Sequence, residues 1–348
     1  MRFRAVALTT MLGLALSAAI GHAGGPFSMH MPRPECSWTP LSDGRVLLAG
    51  GIGGDNGFTT EIYDPRTDHY RAGGRLAKNR CMHGAALLQD GRVLLAAGLD
   101  DKQGRPLELE AYDPVHGTSE IVGSLPTGNA FTPAICLRDG RVLIVGLGYR
   151  DHFAALWNPK DHSVVEVGHS ATTPQSECAA IMLADGRVLI TGTGARRSNA
   201  FLFDPKTSSL SATGPMHHDR FGHCMTLLRD GRVLVSGGYQ QAVCELYDPA
   251  AGIFTETGSL PAGRTKLLSA PLKDGRVLLF GGLQEDRSST SAVYDPATRR
   301  FQVLEGPSGF FLMGSVLSLP DGRVLALDPS ETTQVFSPAT NRWTDFEP

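Results

Sequence analysis

The five residues Asp-Gly-Arg-Val-Leu occur seven times in this chain, beginning at Asp43, Asp90, Asp139, Asp185, Asp230, Asp274 and Asp321. Successive copies lie 47, 49, 46, 45, 44 and 47 residues apart along 348 residues. Self-similarity at that period means a repeat architecture, in which each copy is one small supersecondary unit that buries its apolar faces against its neighbours.

Each copy sits between two short apolar runs, as in His83-Gly-Ala-Ala-Leu-Leu-Gln followed by Asp90-Gly-Arg-Val-Leu-Leu-Ala-Ala-Gly. Two such runs joined by Asp-Gly read as a β-hairpin whose tight turn takes positive φ at both central residues. Their nearly continuous apolar character is that of strands covered on both faces. Glycine follows the second run at Gly50-Gly51, Gly98, Gly146, Gly192, Gly237-Gly238 and Gly281-Gly282, where the chain turns or neighbouring backbone comes close. A third run ends in Tyr63-Asp-Pro, Tyr112-Asp-Pro, Trp157-Asn-Pro, Phe203-Asp-Pro, Tyr247-Asp-Pro, Tyr294-Asp-Pro or Phe336-Ser-Pro. Seven residues on, a large apolar residue recurs at Tyr70, Val164, Leu210, Phe254, Phe301 and Trp343, while the second unit has Ser119 there and Ile121 two later. Four strands per unit follow: a before Asp-Gly, b after it, c ending in the aromatic, and d. One such sheet cannot bury both faces alone, and seven around an axis make an all-β, seven-bladed β-propeller of four antiparallel strands per blade.

The glycine pair after strand b, the Tyr of strand c and the aromatic seven residues later resemble the kelch motif. The resemblance spans about residues 30 to 348, and blade 7 departs from it with Leu327-Asp328 in place of the glycines. It implies a kelch-type propeller. Such propellers serve as enzymes, adhesins and adaptors, so the fold leaves function open.

Residues 1–23 read as a secretory leader. Arg2 and Arg4 make its positive start, Ala5 to Ile20 its apolar stretch, and Gly21-His-Ala23 a small-x-small cleavage signal. That stretch is short for a spanning helix and runs into glycine. The expected organisation is leader 1–23, lead-in 24–34 and a single propeller over 35–348, periplasmic or secreted, with no membrane span in the mature chain. Cleavage removes Arg2 and Arg4 from the 32 basic residues, leaving 30 against 35 acidic. Without a basic field there is no argument for nucleic acid. Export permits disulfides among Cys36, Cys81, Cys136, Cys178, Cys224 and Cys244. Cys36 with Cys81, and Cys178 with Cys224, fall near strand-a starts of neighbouring blades, although packed free thiols are the expectation for most.

Strand-a starts and b–c loops share one face of such a ring, and the Asp-Gly and Asp-Pro turns the other. The seven Arg of Asp-Gly-Arg belong to the frame, pairing with turn carboxylates or carbonyls. Function belongs where blades differ. Ten residues before each Asp stand Arg33, Arg80, Asn129, Gln175, Arg220 and Arg264, with Phe311 in the last blade. Close by are Glu35, His83, Thr132, Glu177, His223 and Lys266, and the b–c loops add Arg150, Arg196 and Arg197. These side chains are expected to crowd the mouth of the central channel. Guanidinium forks suit carboxylate or phosphate groups. Arg80, His83, Arg150, Arg196, Arg264 and Lys266 are thus candidate binding residues for an acidic or polar glycan, or for a protein partner.

Met and His cluster at Met29-His-Met31, Cys81-Met-His83, Met216-His-His218 and His223-Cys-Met225, which would suit copper, but they spread over several blades without fixed ligand spacing. No metal or cofactor is expected. The copper-radical oxidases, galactose and glyoxal oxidase-like, share kelch-type propellers but need a Tyr-His pair, and no Tyr-His dipeptide occurs here. Periplasmic kelch proteins similar to sialic acid mutarotases give a second model. In it, a carbohydrate-active enzyme such as a mutarotase or isomerase would use Glu177 with His223 and Arg220 as its catalytic set. The first reading is an exported binding module with a polar, Arg-rich face.

Overall fold

The computed structural model describes residues 33–102, 104–146, 154–168, 178–193, 198–284, 290–308, 314–327 and 333–346. Seven four-stranded antiparallel sheets follow one another, each with its strands side by side in chain order. Blade 1 consists of Ser37–Pro40, Val46–Ala49, Thr59–Asp64 and His69–Arg75 as strands a to d. Blade 5 consists of His223–Leu227, Val233–Gly237, Val243–Asp248 and Ile253–Ser259. Strands a of successive blades lie against each other around the axis, and strands d stand at the periphery.

The unbroken apolar runs now have their reason. Successive residues of a strand point to opposite faces, yet Val46–Ala49, Val93–Ala96, Val142–Val145, Val277–Phe280 and Val324–Leu327 are buried throughout. Both faces of strand b are covered because a neighbouring blade lies on each side. Among the described residues the core is accordingly seven clusters, each shared between two consecutive blades. One of them closes the ring by packing Val46, Leu48 and Tyr63 of blade 1 against Leu319, Leu325, Leu327 and Val335 of blade 7. Blade 7 supplies all four of its own strands, Ser315–Ser318, Val324–Leu327, Thr333–Ser337 and Arg342–Asp345. Among the described residues, side-chain packing across the blade 7–blade 1 junction closes the circle.

The seven-residue spacing after the strand-c aromatic is a hairpin register. Tyr63 pairs with Tyr70, Tyr247 with Phe254, Tyr294 with Phe301 and Phe336 with Trp343 on facing strands. Their ring centroids lie 4.7, 4.7, 4.9 and 5.3 Å apart, the geometry in which aromatic pairs add to simple burial.

The Asp-Gly turn differs from the expected one. Pro40 pairs with Val46, leaving five residues between. The Gly44 amide donates to the Leu41 carbonyl at 3.1 Å and the Leu41 amide to the Arg45 carbonyl at 2.7 Å. Positive φ falls on the seven glycines alone, between 86° and 96°, and on none of the aspartates. This is a type I turn followed by a left-handed glycine, not a two-residue turn with both residues left-handed. The aspartate has a separate task. Asp43 Oδ1 accepts the Arg45 amide at 3.0 Å, and Oδ2 accepts Arg45 Nε at 2.8 Å. The same clasp recurs in every blade, as at Arg92–Asp90 and Arg232–Asp230. Several of these arginines also reach the next blade: Arg141, Arg187 and Arg276 donate to the carbonyls of Pro205, Pro249 and Pro338 at 2.6, 3.1 and 3.2 Å. They are frame, as the repetition implied.

All six cysteines are free thiols. Burial pushes Cys36, Cys178 and Cys224 up to about 12, which keeps them unreactive.

The glycines after strand b serve close approach. Gly50, at φ 67°, faces the Arg80 carbonyl and His83 Cε1 of the next blade, and Gly192, at φ 79°, faces the Arg220 carbonyl and His223 Cε1. Gly44 has a similar φ but open space where a Cβ would be. Gly44→Ala is expected to cost only the left-handed backbone penalty, about 1–2 kcal/mol. Gly50→Ala, which adds a collision with backbone, should shift the urea midpoint further. Equal shifts would contradict this account of the glycine pair.

Candidate functional site

The arginines before strand a turn inward. Arg80 and Arg220 are 0 % exposed, and Arg33 and Arg264 are also buried. Arg33 Nε donates to Glu61 at 2.7 Å, and Arg80 Nη2 to Glu110 at 3.2 Å. Arg220 Nε and Nη2 donate to Glu245 Oε1 at 3.2 and 2.9 Å. The remaining donors cap carbonyls of the b–c connection in the same blade: Ala97 and Glu108 for Arg80, Gly237 and Val243 for Arg220. The acid comes from strand c, two residues before the aromatic. Blade 6 has Ala292 there, and Arg264 instead bonds the Thr290 carbonyl and hydroxyl at 2.8 Å each. In blade 3, Asn129 Nδ2 bonds the Gly146 carbonyl at 3.2 Å. The expectation that Arg80, Arg220 and Arg264 stand at the channel mouth is therefore corrected. A b–c connection shut between blades has carbonyls that water cannot reach, and the guanidinium satisfies several at once.

Burial pushes Glu245 up, but the His217 amide, the Arg220 charge and hydrogen bonds, and the His217 ring together hold it below the usual carboxylate range. Glu245→Ala would strand the Arg220 charge inside blade 5, for a loss of about 3–5 kcal/mol. Urea denaturation should show it, and a loss below about 1 kcal/mol would mean the pair is not buried as described.

The third residue after each of these positions also packs inward. His83 and His223 are each 8 % exposed, and Thr132 is buried. His83 Nε2 meets the Ser37 hydroxyl of blade 1 at 2.8 Å, and His223 Nε2 meets the Thr191 hydroxyl of blade 4 at 2.7 Å. Each imidazole is a wedge at a blade junction, so the mouth placement is corrected for these two as well. Burial first, then the neighbouring Arg80 or Arg220 charge, pulls both from the ordinary 6.5 down to about 3. Between those values the unfolded chain holds protons that the folded one does not, so stability is complete above pH 6.5 and falls as the pH drops towards 3. Each imidazole contributes a slope of up to about 1.4 kcal/mol per pH unit in that window. Urea midpoints from pH 7 to pH 4 should fall less steeply in a His83→Gln/His223→Gln double variant than in the parent. Parallel curves would refute the assignment.

Between arginine and wedge lies the residue that does reach the mouth. Glu35, Met82, Phe131 and Lys266 are left-handed, with φ of 61°, 53°, 53° and 57°, and Gly222 takes the same place in blade 5 at 62°. All five are half-buried. Their backbones join blade to blade: the Met82 amide donates to the Glu35 carbonyl at 2.9 Å, Phe131 to Met82 at 2.7 Å, and Lys266 to Gly222 at 2.6 Å. Directly before the innermost strands, these residues form a collar at the end of the channel. Lys266 Nζ lies 4.3 Å from the centre of the Phe131 ring, joining blade 6 to blade 3 across the opening. Non-glycine residues in this conformation are held against their preference; the c–d turns hold Asp68, His162, Ser208, Arg299 and Asn341 in the same way, so the collar is set apart by the variety of its side chains.

Met82 and Phe131 were not anticipated. Their signal was present as the second residue after each blade's Arg or Asn, but side-chain direction alone separates it from its neighbours. Glu177 stands at the corresponding place of blade 4 in the sequence. Glu177, Arg150, Arg196 and Arg197 lie outside the described residues. Cavities of about 430, 400 and 320 Å³ open on the opposite face. They are lined by Asp-Gly-Arg and Asp-Pro turn residues such as Asp185, Arg187 and Asp204, and are spaces between parts of the frame.

No protein-family model matches the chain, and no curated protein matches it. Among solved structures it is similar to a fungal alcohol oxidase of the AA5 family in complex with copper, at 16 % identity and a TM-score of 0.67 over 87 % of this chain and 71 % of that one. It is also similar to YjhT, at 14 % identity and a TM-score of 0.57 over 80 % of this chain and 99 % of that one. At such identities the likeness is one of fold, and the fold is that of kelch-type propellers. Copper favours gathered imidazole and sulfur donors. Here no three His, Cys, Asp or Glu of the described residues come together as ligands. His83 and His223 sit at separate junctions, bonded to hydroxyls. The described donors do not fit that metal.

Proposed function

We propose that this protein is an exported binding module, periplasmic or secreted, that presents the collared mouth of its ring to a polar or acidic glycan or to a protein partner. The leader-like residues 1–23 support export. The observation that carries the binding reading is the left-handed collar itself. It offers Glu35, Met82, Phe131 and Lys266, four chemically different residues, at equivalent places directly before the innermost strands. Such diversity contrasts with the Asp-Gly-Arg clasp, which is the same in all blades. An ammonium over an aromatic face supplies a charge for an anionic group and an apolar surface beside it.

The catalytic alternative, a sugar mutarotase or isomerase using Glu177, His223 and Arg220, draws less support. General acid–base work needs the imidazole within hydrogen-bond reach of substrate, whereas His223 is wedged against Gly192 and Arg220 is bonded within blade 5. Both readings meet in one comparison. A Phe131→Ala/Lys266→Ala variant with an unchanged melting temperature should lose retention on immobilised glycans or partner by about tenfold or more. Anomer exchange, followed by NMR, should run no faster with the protein than without it. Undiminished retention in the variant would remove the collar as the site, and accelerated exchange would favour the enzyme.

A further inference from the structure

The same face of blade 5 carries an aromatic pair outside the collar. Phe221 follows Arg220, and Tyr239 opens the b–c loop after Gly237-Gly238. Their rings stack with centroids 5.1 Å apart and planes 18° from parallel. The Tyr239 amide donates to the Phe221 carbonyl at 3.2 Å, the Gln241 amide closes the loop on the Gly238 carbonyl at 3.1 Å, and Gln240 between them is left-handed at φ 57°. Tyr239 is nonetheless 53 % exposed. One side of its ring rests on Phe221, and more than half of the residue is open to solvent. A flat aromatic face held in this way suits the C–H face of a pyranose, whose hydroxyls stay in water at the edge.

Platform and collar are fastened to each other. Thr265 Oγ1 donates to the Phe221 and Gly222 carbonyls at 3.4 and 3.3 Å, and the Lys266 amide donates to the Gly222 carbonyl at 2.6 Å. Tyr239 thus lies on the outside, in a b–c loop, and the Lys266–Phe131 pair at the centre, on one connected piece of backbone. Two separate recognition places tied together in this way suit a chain of sugars better than a single ring.

We propose that the Phe221–Tyr239 stack is a subsite for one pyranose of an oligosaccharide whose neighbouring residues reach the Lys266–Phe131 pair. The proposal rests on the collar being the binding site and narrows its partner to a glycan chain. At the inner end a carboxylate or hydroxyl of the sugar meets the Lys266 ammonium beside the Phe131 ring.

The test runs the exported protein on an array of acidic and neutral monosaccharides and oligosaccharides. Tyr239→Ala, Tyr239→Phe and the Phe131→Ala/Lys266→Ala double variant are run beside it, all with melting temperatures matching the parent. The expected result is retention of trimers and longer chains above monosaccharides, about tenfold weaker binding by Tyr239→Ala, and parent-like binding by Tyr239→Phe, which keeps the ring. Parent-like binding by Tyr239→Ala while the double variant fails would overturn the subsite and leave the collar standing, as would monosaccharides retained as well as trimers. Parent-like binding by the double variant would instead remove the collar. If the parent retains no glycan at all, the subsite is overturned and the collar is left to a protein partner.

Discussion

Every blade of this ring depends on having both faces of its small sheet covered by its neighbours. A four-stranded sheet standing alone would leave both sides of Val233–Gly237 or Val277–Phe280 in water, and each core cluster is shared between two blades. Nearest-neighbour burial of this kind makes the fold quasi-one-dimensional, with the ends of the row joined through Leu325, Leu327 and Tyr63. It also explains the buried arginines. Once neighbours shut in the b–c connection, its carbonyls lose water, and Arg33, Arg80 and Arg220 satisfy them while their charge is met by Glu61, Glu110 and Glu245.

The two faces of the ring divide the labour. On one, the Asp-Gly-Arg clasp repeats in every blade, and three of its arginines also reach the proline turn of the next blade. On the other, the described collar residues are linked blade to blade by backbone amides and carbonyls, with the Thr265 hydroxyl adding a bond to Gly222. A backbone link leaves side-chain identity unconstrained. Blades that are interchangeable in frame therefore offer Glu35, Met82, Phe131 and Lys266 at equivalent places. The structure keeps its variety where identity costs the fold least.

Most of the architecture was legible from spacing. The blade count followed from Asp-Gly-Arg, the strand order from the contiguity of four runs, and the c–d register from the aromatic followed seven residues later by another large residue. The site was legible only in part. The segment before strand a differs from blade to blade, but within it neighbouring residues go in different directions: Arg80 into its own blade, His83 against the preceding blade, with the left-handed Met82 between them. A left-handed residue in the middle of the segment makes that division, and a positive φ at Met82 or Phe131 has no signature in residue type, as it would at glycine. The Asp-Gly turn shows the same limit. Its glycine was recognisable as left-handed, but the hairpin's loop length depends on the Asp43 carboxylate binding the Arg45 amide.

The sequence by itself determined that this is a ring of seven equivalent sheets and which residues belong to its frame, because repetition and apolar spacing record burial directly. Tertiary structure alone decided which polar residues turn to the interior and which stay half-exposed before the innermost strands. Arg220 and Lys266 are both basic residues just before a strand a. Only the packing of neighbouring blades, through the carbonyls it shuts in and the backbone it turns left-handed, sends one side chain inside and the other to the opening.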